Sequence, residues 1–400
     1  MWNNKKMKKI LLINTLYHPY IGGGAEIIFQ QQVEGLKKRG YEICVLTTGK
    51  NENLIKEYVN DIVIYRAGIK NFYWHYGNNK SNNKLIKLFW HVRDSYNIQM
   101  KKYINSILDM ENPDIVICHN LAGFSISIWD EIKKNNLKII QVLHDMYLLC
   151  ANSTMFRKDH TCKKQCTICK VLRKIHKGKS EKIDVLVGVS QFIIHKMSSY
   201  NYFKSVKKQV IYNAQNIKYI NKEKIWDGTD VLKIGYIGSL TKSKGIEWLI
   251  TQFNQLNINA KLLIAGKGEL IYEKYLKKLA NNKIEFLGYV DSSEFYKKVD
   301  IICLPSICED NLPGVAYEAT ANSIPVIATK RGGIPEIITD QVNGILIDPD
   351  HENSLGKAIL ELYKNKKLFN SLSAQARKSV ESFLDVDKML DEYETIIQNL

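Results

Sequence analysis

No run in these 400 residues approaches the roughly 20 consecutive apolar residues that a helix needs to cross a bilayer. Lys8-Lys9-Ile10-Leu11-Leu12-Ile13 opens like a secretion signal, but the run stops at Asn14 and no small-residue cleavage site follows. A cytoplasmic protein is expected. Two nucleotide-binding fingerprints are also missing. Gly266-Lys267-Gly268 follows an apolar run, yet Ile271 stands where a dinucleotide turn needs its third glycine. Gly178-Lys179-Ser180 has the tail of a phosphate-binding loop, but Arg173 occupies the place of its first glycine. No zinc-finger, RNA-recognition or helix-turn-helix pattern is present, so a nucleic-acid partner is not expected.

Acidic residues are scarce in one half only. Residues 1–228 carry 37 Lys and Arg against 18 Asp and Glu, whereas residues 229–400 carry 20 against 23. A soluble basic surface explains this asymmetry, and so does an anionic membrane as partner. The overall composition, 45% hydrophobic and 24% charged, is that of a folded globular chain long enough for two cores.

What is present is alternation. Apolar strand-like runs at Ile10–Asn14, Ile43–Thr47, Ile62–Tyr65, Ile115–Cys118, Ile139–Leu143, Val185–Val189 and Val210–Tyr212 are separated by longer amphipathic segments. The pattern resumes with Leu232–Ile237, Ala260–Ala265, Ile284–Leu287, Ile301–Leu304, Val326–Ala328 and Ile345–Ile347, after a polar linker at Ala214–Asp230. It predicts two doubly wound, Rossmann-like α/β domains facing a cleft, over residues 1–228 and 229–385, with a final helix over 386–400.

The stretch from Val299 to Ile337 is the densest in chemistry. Two buried-strand runs bracket a loop with Glu309, Asp310, Asn311 and Leu312, then a helix starting near Pro313 that carries Glu318. Asp310 and Glu318 are separated by seven residues, which staggers their carboxylates: one at the loop mouth, one deeper on the helix. That arrangement suits an elongated polyol better than a metal ion. Gly332-Gly333-Ile334-Pro335-Glu336 follows. Earlier, Gly238-Ser239-Leu240-Thr241-Lys242-Ser243-Lys244-Gly245 closes the first strand of the second half and puts a lysine at a positive helix start, a place that favours an anion beside it. Gly22-Gly23-Gly24 closes the first strand of the chain and precedes a helix over Ala25–Arg39, a turn whose amides suit a phosphate.

These segments resemble family 4 retaining glycosyltransferases of the GT-B fold, also called group 1. The resemblance spans nearly the whole chain and is strongest over Leu232–Asp348. It implies transfer of a sugar from a nucleotide-sugar donor, bound by the second domain, to an acceptor on the first. Glu318 matches the acid that holds the ribose hydroxyls, Asp310 the acid that contacts the transferred sugar, and Lys244 the lysine on the diphosphate. The sequence departs from the family at Asp310, where Glu is usual and Glu309 is a neighbouring substitute, and at Ser239, where Arg is usual. Lys242 and Arg331 are candidate replacements for that charge. His144, ending the run Ile139–Leu143, matches the family histidine near the donor sugar, and the final helix is implied to return to the first domain. A glycan acceptor, lipid-linked at the inner membrane face, is the implied partner in surface-polysaccharide assembly. A nucleotide-sugar epimerase of the same fold and a silent nucleotide-sugar-binding subunit are the alternatives. No cofactor is expected for catalysis.

Three further signals stand apart. Cys150, Cys162, Cys166 and Cys169 crowd into one insert, 150–169, and are candidate ligands of a structural zinc. Phe72-Tyr73-Trp74-His75-Tyr76 is an aromatic cluster expected in a loop, with Phe72, Tyr73 and Trp74 as a membrane foothold. The helix after it aligns Leu85, Phe89, Val92, Tyr96, Met100, Tyr103 and Ile107 in a stripe expected to face the core, flanked by Lys84, Lys87, Arg93 and Lys101.

Overall fold

The computed structural model describes residues 8–74, 76, 83–217 and 224–400. His75 and part of the linker lie outside the described residues.

The chain forms two compact units. One comprises the chain up to Met155, Lys163–Asn213 and Asp387–Leu400; the other comprises Phe156–Cys162 and Ala214–Val386.

The first unit is built on eight strands: β1 (Lys9–Ile13), β2 (Glu42–Gly49), β3 (Leu54–Val59), β4 (Ile62–Gly68), β5 (Ile115–Cys118), β6 (Lys138–Leu143) and, beyond a small hairpin, β9 (Val185–Gly188) and β10 (Lys207–Val210). Their order is β10-β9-β6-β5-β1-β2-β4-β3. All pairs are parallel except β3 with β4. The parallel arrangement follows from the continuous Ile, Leu and Val runs: β1, β5 and β9 are buried along almost their whole length, so both faces must be covered by helices. β3 was not expected from sequence. Its residues are half-buried or exposed, as an edge strand allows, and the apolar-run criterion passes over such a segment.

The second unit holds β11 (Leu232–Ile237), β12 (Ala260–Ala265), β13 (Ile284–Gly288), β14 (Ile301–Leu304), β15 (Val326–Thr329) and β16 (Gly344–Ile347), ordered β13-β12-β11-β14-β15-β16 and all parallel. Order reverses between β11 and β14, the position where open α/β sheets bind ligands beyond their C-terminal strand ends. The hairpin β7 (Phe156–Arg157) and β8 (His160–Thr161) grows from the Cys-rich insert but packs with this unit, where the Thr161 hydroxyl donates to the Ile307 carbonyl at 2.7 Å.

The long stripe after the aromatic cluster does not face the core as one piece. The helix Lys84–Ser95 ends, Asn97 accepts the Gln99 N–H to start a single 3₁₀ turn, and a new helix runs over Lys101–Glu111. The break resets the helical phase. Met100, Tyr103 and Ile107 are buried, but Leu85, Phe89 and Val92 are 64%, 55% and 52% exposed, and Trp90 is the buried anchor instead. The loop expectation is corrected in part too: Phe72 is exposed, whereas Trp74 is buried and donates its indole N–H to Thr48 Oγ1 at 3.0 Å. Trp74 is therefore not a membrane foothold.

Candidate active site

At the end of β11 the chain turns through Gly238 into the 3₁₀ turn Lys242–Lys244 and the helix Ile246–Asn254. Gly245, at φ +70°, has no alternative residue: a Cβ there would sit 1.9 Å from the Pro305 carbonyl oxygen. This close approach presses the turn carrying Lys244 onto the loop that follows β14. Lys244 Nζ thereby meets Asp310 Oδ1 at 2.5 Å, and Ser306 Oγ donates to Asp310 Oδ2 at 2.6 Å. Burial works to lower the Lys244 pKa, but the Asp310 charge outweighs it and the ammonium is held above its ordinary value.

Asp310 is fixed from behind as well. Gly333 donates its N–H to the Asp310 carbonyl at 2.7 Å, and Gly332, at φ +60°, leaves no room for a Cβ against that same oxygen. The Gly332-Gly333 pair thus orients the loop carrying Glu309, Asp310, Asn311 and Leu312. Glu309 is half-buried beside Asp310.

Pro313 precedes the helix Gly314–Ala321, on which Glu318 stands one turn in. Glu318 Oε2 accepts from the Tyr296 hydroxyl at 3.0 Å, and its Oε1 lies close to Gly314 at the helix start. Burial raises the Glu318 pKa, and the Tyr296 bond partly offsets that rise. Tyr296, on the helix Ser292–Lys298, was missed by sequence reasoning. It sits in a polar stretch, and only a Phe295-Tyr296 pair ahead of β14 signals that the segment has a buried side.

The expected substitutes for the missing arginine are engaged elsewhere. Lys242 pairs with Asp159 of the β7–β8 hairpin at 2.7 Å, and Arg331 pairs with Asp350 at 2.6 Å. Ser239 is exposed, with its carbonyl accepting from the Tyr236 hydroxyl at 2.7 Å.

In the first unit, Gly23 precedes the helix Gly24–Lys38. Its phosphate-like turn has a neighbour: the buried Glu26 carboxylate lies against Gly22 and Gly23, whose backbone amides oppose the rise that burial gives its pKa. His144 follows β6 and His119 follows β5, and their rings meet with Nδ1 of His119 2.8 Å from Nε2 of His144. Burial holds His144 down at about 4 and His119 well below its ordinary value, so both are neutral at neutral pH. Asp145, next along, is pushed up to about 6 by burial.

Of the four clustered cysteines, Cys150, Cys166 and Cys169 belong to the first unit and Cys162 to the second. Cys150 and Cys169 approach to 4.0 Å between sulfurs, and Cys166 lies beside Cys169. Among the described residues no group of three or more His, Cys, Asp or Glu side chains is disposed to hold a metal. A tetrahedral ion needs all four thiolates within about 2.3 Å of one centre. The Cys169 thiol and backbone amides hold the Cys150 thiol below its ordinary value against the opposing effect of burial.

Two parallel-sheet units of this topology define a GT-B fold, and comparison with solved structures agrees. Sucrose-phosphate synthase from Thermosynechococcus elongatus superposes with a TM-score of 0.77 at 16% identity, covering 98% of each chain. Anabaena HepE in complex with UDP-glucose gives 0.69 at 16% identity, covering 98% of this chain and all of that one. In sequence, the Glycosyltransferase Family 4 model matches residues 22–218 and the Glycosyl transferases group 1 model matches 232–365. A Klebsiella pneumoniae protein described as an uncharacterized 42.6 kDa protein in the cps region is 31% identical over 331 residues, 82% of this chain and 87% of that protein. The N-acetyl-alpha-D-glucosaminyl L-malate synthase of Bacillus anthracis is 23% identical over 96% of both chains. The Staphylococcus aureus capsular polysaccharide biosynthesis glycosyltransferase CapM is 24% identical over 53% of this chain and 60% of its own. The chain belongs to the group 1, family 4 glycosyltransferases.

Proposed function

We propose that this glycosyltransferase moves a sugar, with retention of anomeric configuration, from a nucleotide-sugar in the second unit to a lipid-linked glycan received by the first. The reaction serves surface-polysaccharide assembly at the inner face of the membrane. One observation carries the donor side: Lys244 and Asp310 are paired, with Glu318 set deeper, at the topological switch of the second sheet. As the bond to the anomeric carbon breaks, charge accumulates on the departing diphosphate. The Lys244 ammonium stabilises that charge more in the transition state than in the bound donor, which is what accelerates transfer. Glu318 accepts the ribose hydroxyls, and Asp310 meets the sugar while holding Lys244 in place until the diphosphate arrives.

The UDP-glucose complex of HepE makes uridine nucleotides the first donors to try. The cps-region relative and CapM support a polysaccharide product. The basic first half and the exposed Leu85, Phe89 and Val92 beside Lys84, Lys87 and Arg93 support a membrane-borne acceptor. A thermal-shift screen of nucleotides and nucleotide-sugars tests the donor. A ligand at 100 times its Kd stabilises by about 2.7 kcal/mol, so a matching nucleotide raises Tm by several degrees. No shift with any nucleoside diphosphate overturns the donor assignment. Vesicle co-sedimentation tests the membrane side: anionic vesicles should bind the protein and salt should release it, whereas equal binding to neutral vesicles, or none to either, points to a soluble acceptor.

A further inference from the structure

The hairpin β7–β8 is an unusual member of the second unit. The chain belongs to the first unit up to Met155, joins the second over Phe156–Cys162, and is back in the first from Lys163. So short a hairpin has no core of its own, and two isolated strands are marginal in water. Its turn is well formed all the same. Lys158 and Asp159 take left-handed backbone, φ +49° and +65°, beside the register pairs Phe156–Thr161 and Arg157–His160. Two left-handed residues make the turn whose twist matches a two-residue hairpin. Alternation then puts Phe156 and Thr161 on one face and Arg157 and His160 on the other. Burial agrees: the first two are half-buried and the second two exposed.

The half-buried face grips the loop that carries Asp310. The Thr161 hydroxyl donates to the Ile307 carbonyl at 2.7 Å, and at the tip Asp159 pairs with Lys242. Ile307 passes the contact on. Its own N–H and that of Cys308 donate to the Ser243 carbonyl at 2.9 and 3.0 Å. Hairpin contacts therefore reach Lys242 directly and Ser243 through one residue, the two positions immediately before Lys244. Gly245, the position after it, is packed on Pro305. The two grips are unequal. Asp159 and Lys242 are 63% and 51% exposed, where an ion pair is worth little, whereas the Thr161 bond is partly buried.

We infer that the hairpin is part of the donor site and that Thr161 is a positioning residue: through Ile307 and Ser243 it holds the turn that aims the Lys244 ammonium at the diphosphate. The inference rests on Lys244 meeting that group. A segment inserted in the first unit's chain thereby serves the second unit's chemistry. Thr161 touches no substrate in this scheme.

The test uses the full-length protein and calorimetry with UDP, GDP, ADP and dTDP in turn. Thr161→Val keeps the shape of the side chain and deletes its hydroxyl. It should weaken nucleoside-diphosphate binding on the order of 3- to 10-fold, the worth of one hydrogen bond. Thr161→Ser should restore most of that loss. The deciding measurement is the double variant. If Thr161 acts through Lys244, Thr161→Val should weaken binding no further in a Lys244→Ala protein; equal losses in both backgrounds would make Thr161 a general brace and overturn the role. Wild-type affinity in Thr161→Val while Lys244→Ala binds weakly overturns the positioning role alone. Wild-type affinity in Lys244→Ala, or no binding of any of the four nucleotides by the unaltered protein, overturns the reading of Lys244 on which it rests.

Discussion

The two parallel sheets are built alike, yet the polar groups beyond their C-terminal strand ends differ: ion pairs predominate in the second unit, beside Glu318, whose pKa burial raises, and uncharged histidines follow β5 and β6 in the first. The second unit's pairs include Lys244 with Asp310, Lys242 with Asp159 and Arg331 with Asp350. In the first, the groups that directly follow β5 and β6 are buried and driven toward neutrality: His119 and His144 lose their protons, while Asp145 is pushed up to about 6. Desolvation is the largest cause in each of these three groups. The contrast fits a division of labour. A diphosphate needs charge held in place, whereas sugar hydroxyls need neutral donors and acceptors that do not scatter the ligand's own hydrogen bonds.

The largest effects should come from the charged side. Glu318→Ala removes a half-buried carboxylate that accepts from Tyr296, and the ribose loses an acceptor worth about 1.5–3 kcal/mol; nucleotide affinity should fall on the order of 10- to 100-fold by calorimetry. Asp310→Ala should leave nucleotide affinity nearer to the wild type and cut turnover, because it frees Lys244 from its partner and removes the contact to the sugar. If both variants transfer sugar at the normal rate, the second unit's charges have some other purpose.

A smaller effect should sharpen the comparison through pH. Tyr296→Phe deletes one hydrogen bond, about 0.5–1.5 kcal/mol, and should weaken nucleotide binding roughly 3- to 10-fold. Burial raises the Glu318 pKa and Tyr296 opposes that rise, so the variant's carboxylate should protonate at higher pH than the wild type's. With Glu318 on the ribose as proposed, binding uses the ionised form, so affinity should fall as pH drops through the raised value, and sooner in Tyr296→Phe. Stability moves the other way. A carboxyl whose folded pKa is raised contributes stability at low pH and loses it as pH climbs through that pKa. Overlapping binding-versus-pH curves for the two proteins would remove Tyr296 from the site.

The second unit was the more legible one because its chemistry is nearly contiguous. Asp310, Glu318 and the Gly332-Gly333 turn fall within one β14–helix–β15 passage, and the seven-residue spacing alone places the carboxylates at different depths. Tyr296 escaped because its helix reads as solvated. In the first unit each important neighbour is remote in sequence. His119 meets His144 only through the register that sets Cys118 opposite Gln141, and the only trace in the sequence is that both histidines directly follow apolar runs. Glu26 lying against Gly22 and Gly23 could not be read from glycine content. The helix stripe from Leu85 to Ile107 failed because periodicity was carried across a break at Asn97, whose side chain starts a new turn.

The smallest effect, that of Arg39, separates charge from packing within the first unit. From Asp387 onward the helix Val386–Gln398 belongs to this unit, where Arg39 spans Asp387, Asp391 and Glu394. Three carboxylates around one guanidinium look strong, but Asp387 and Asp391 are 90% and 69% exposed, and water and salt screen them. The same helix sinks Leu390 against Gly35, where a Cβ would come within 2.5 Å of it, and buries Tyr393 and Ile397. Leu390→Ala should therefore cost about 2–5 kcal/mol from lost burial and the cavity left behind. Arg39→Ala should cost at most about 1 kcal/mol, shrinking further in high salt. Denaturant melts of the two variants at low and high salt decide the matter. A loss in Arg39→Ala that equals that of Leu390→Ala and persists in high salt would mean that the charged contacts, not the apolar seam, hold this helix in the first unit.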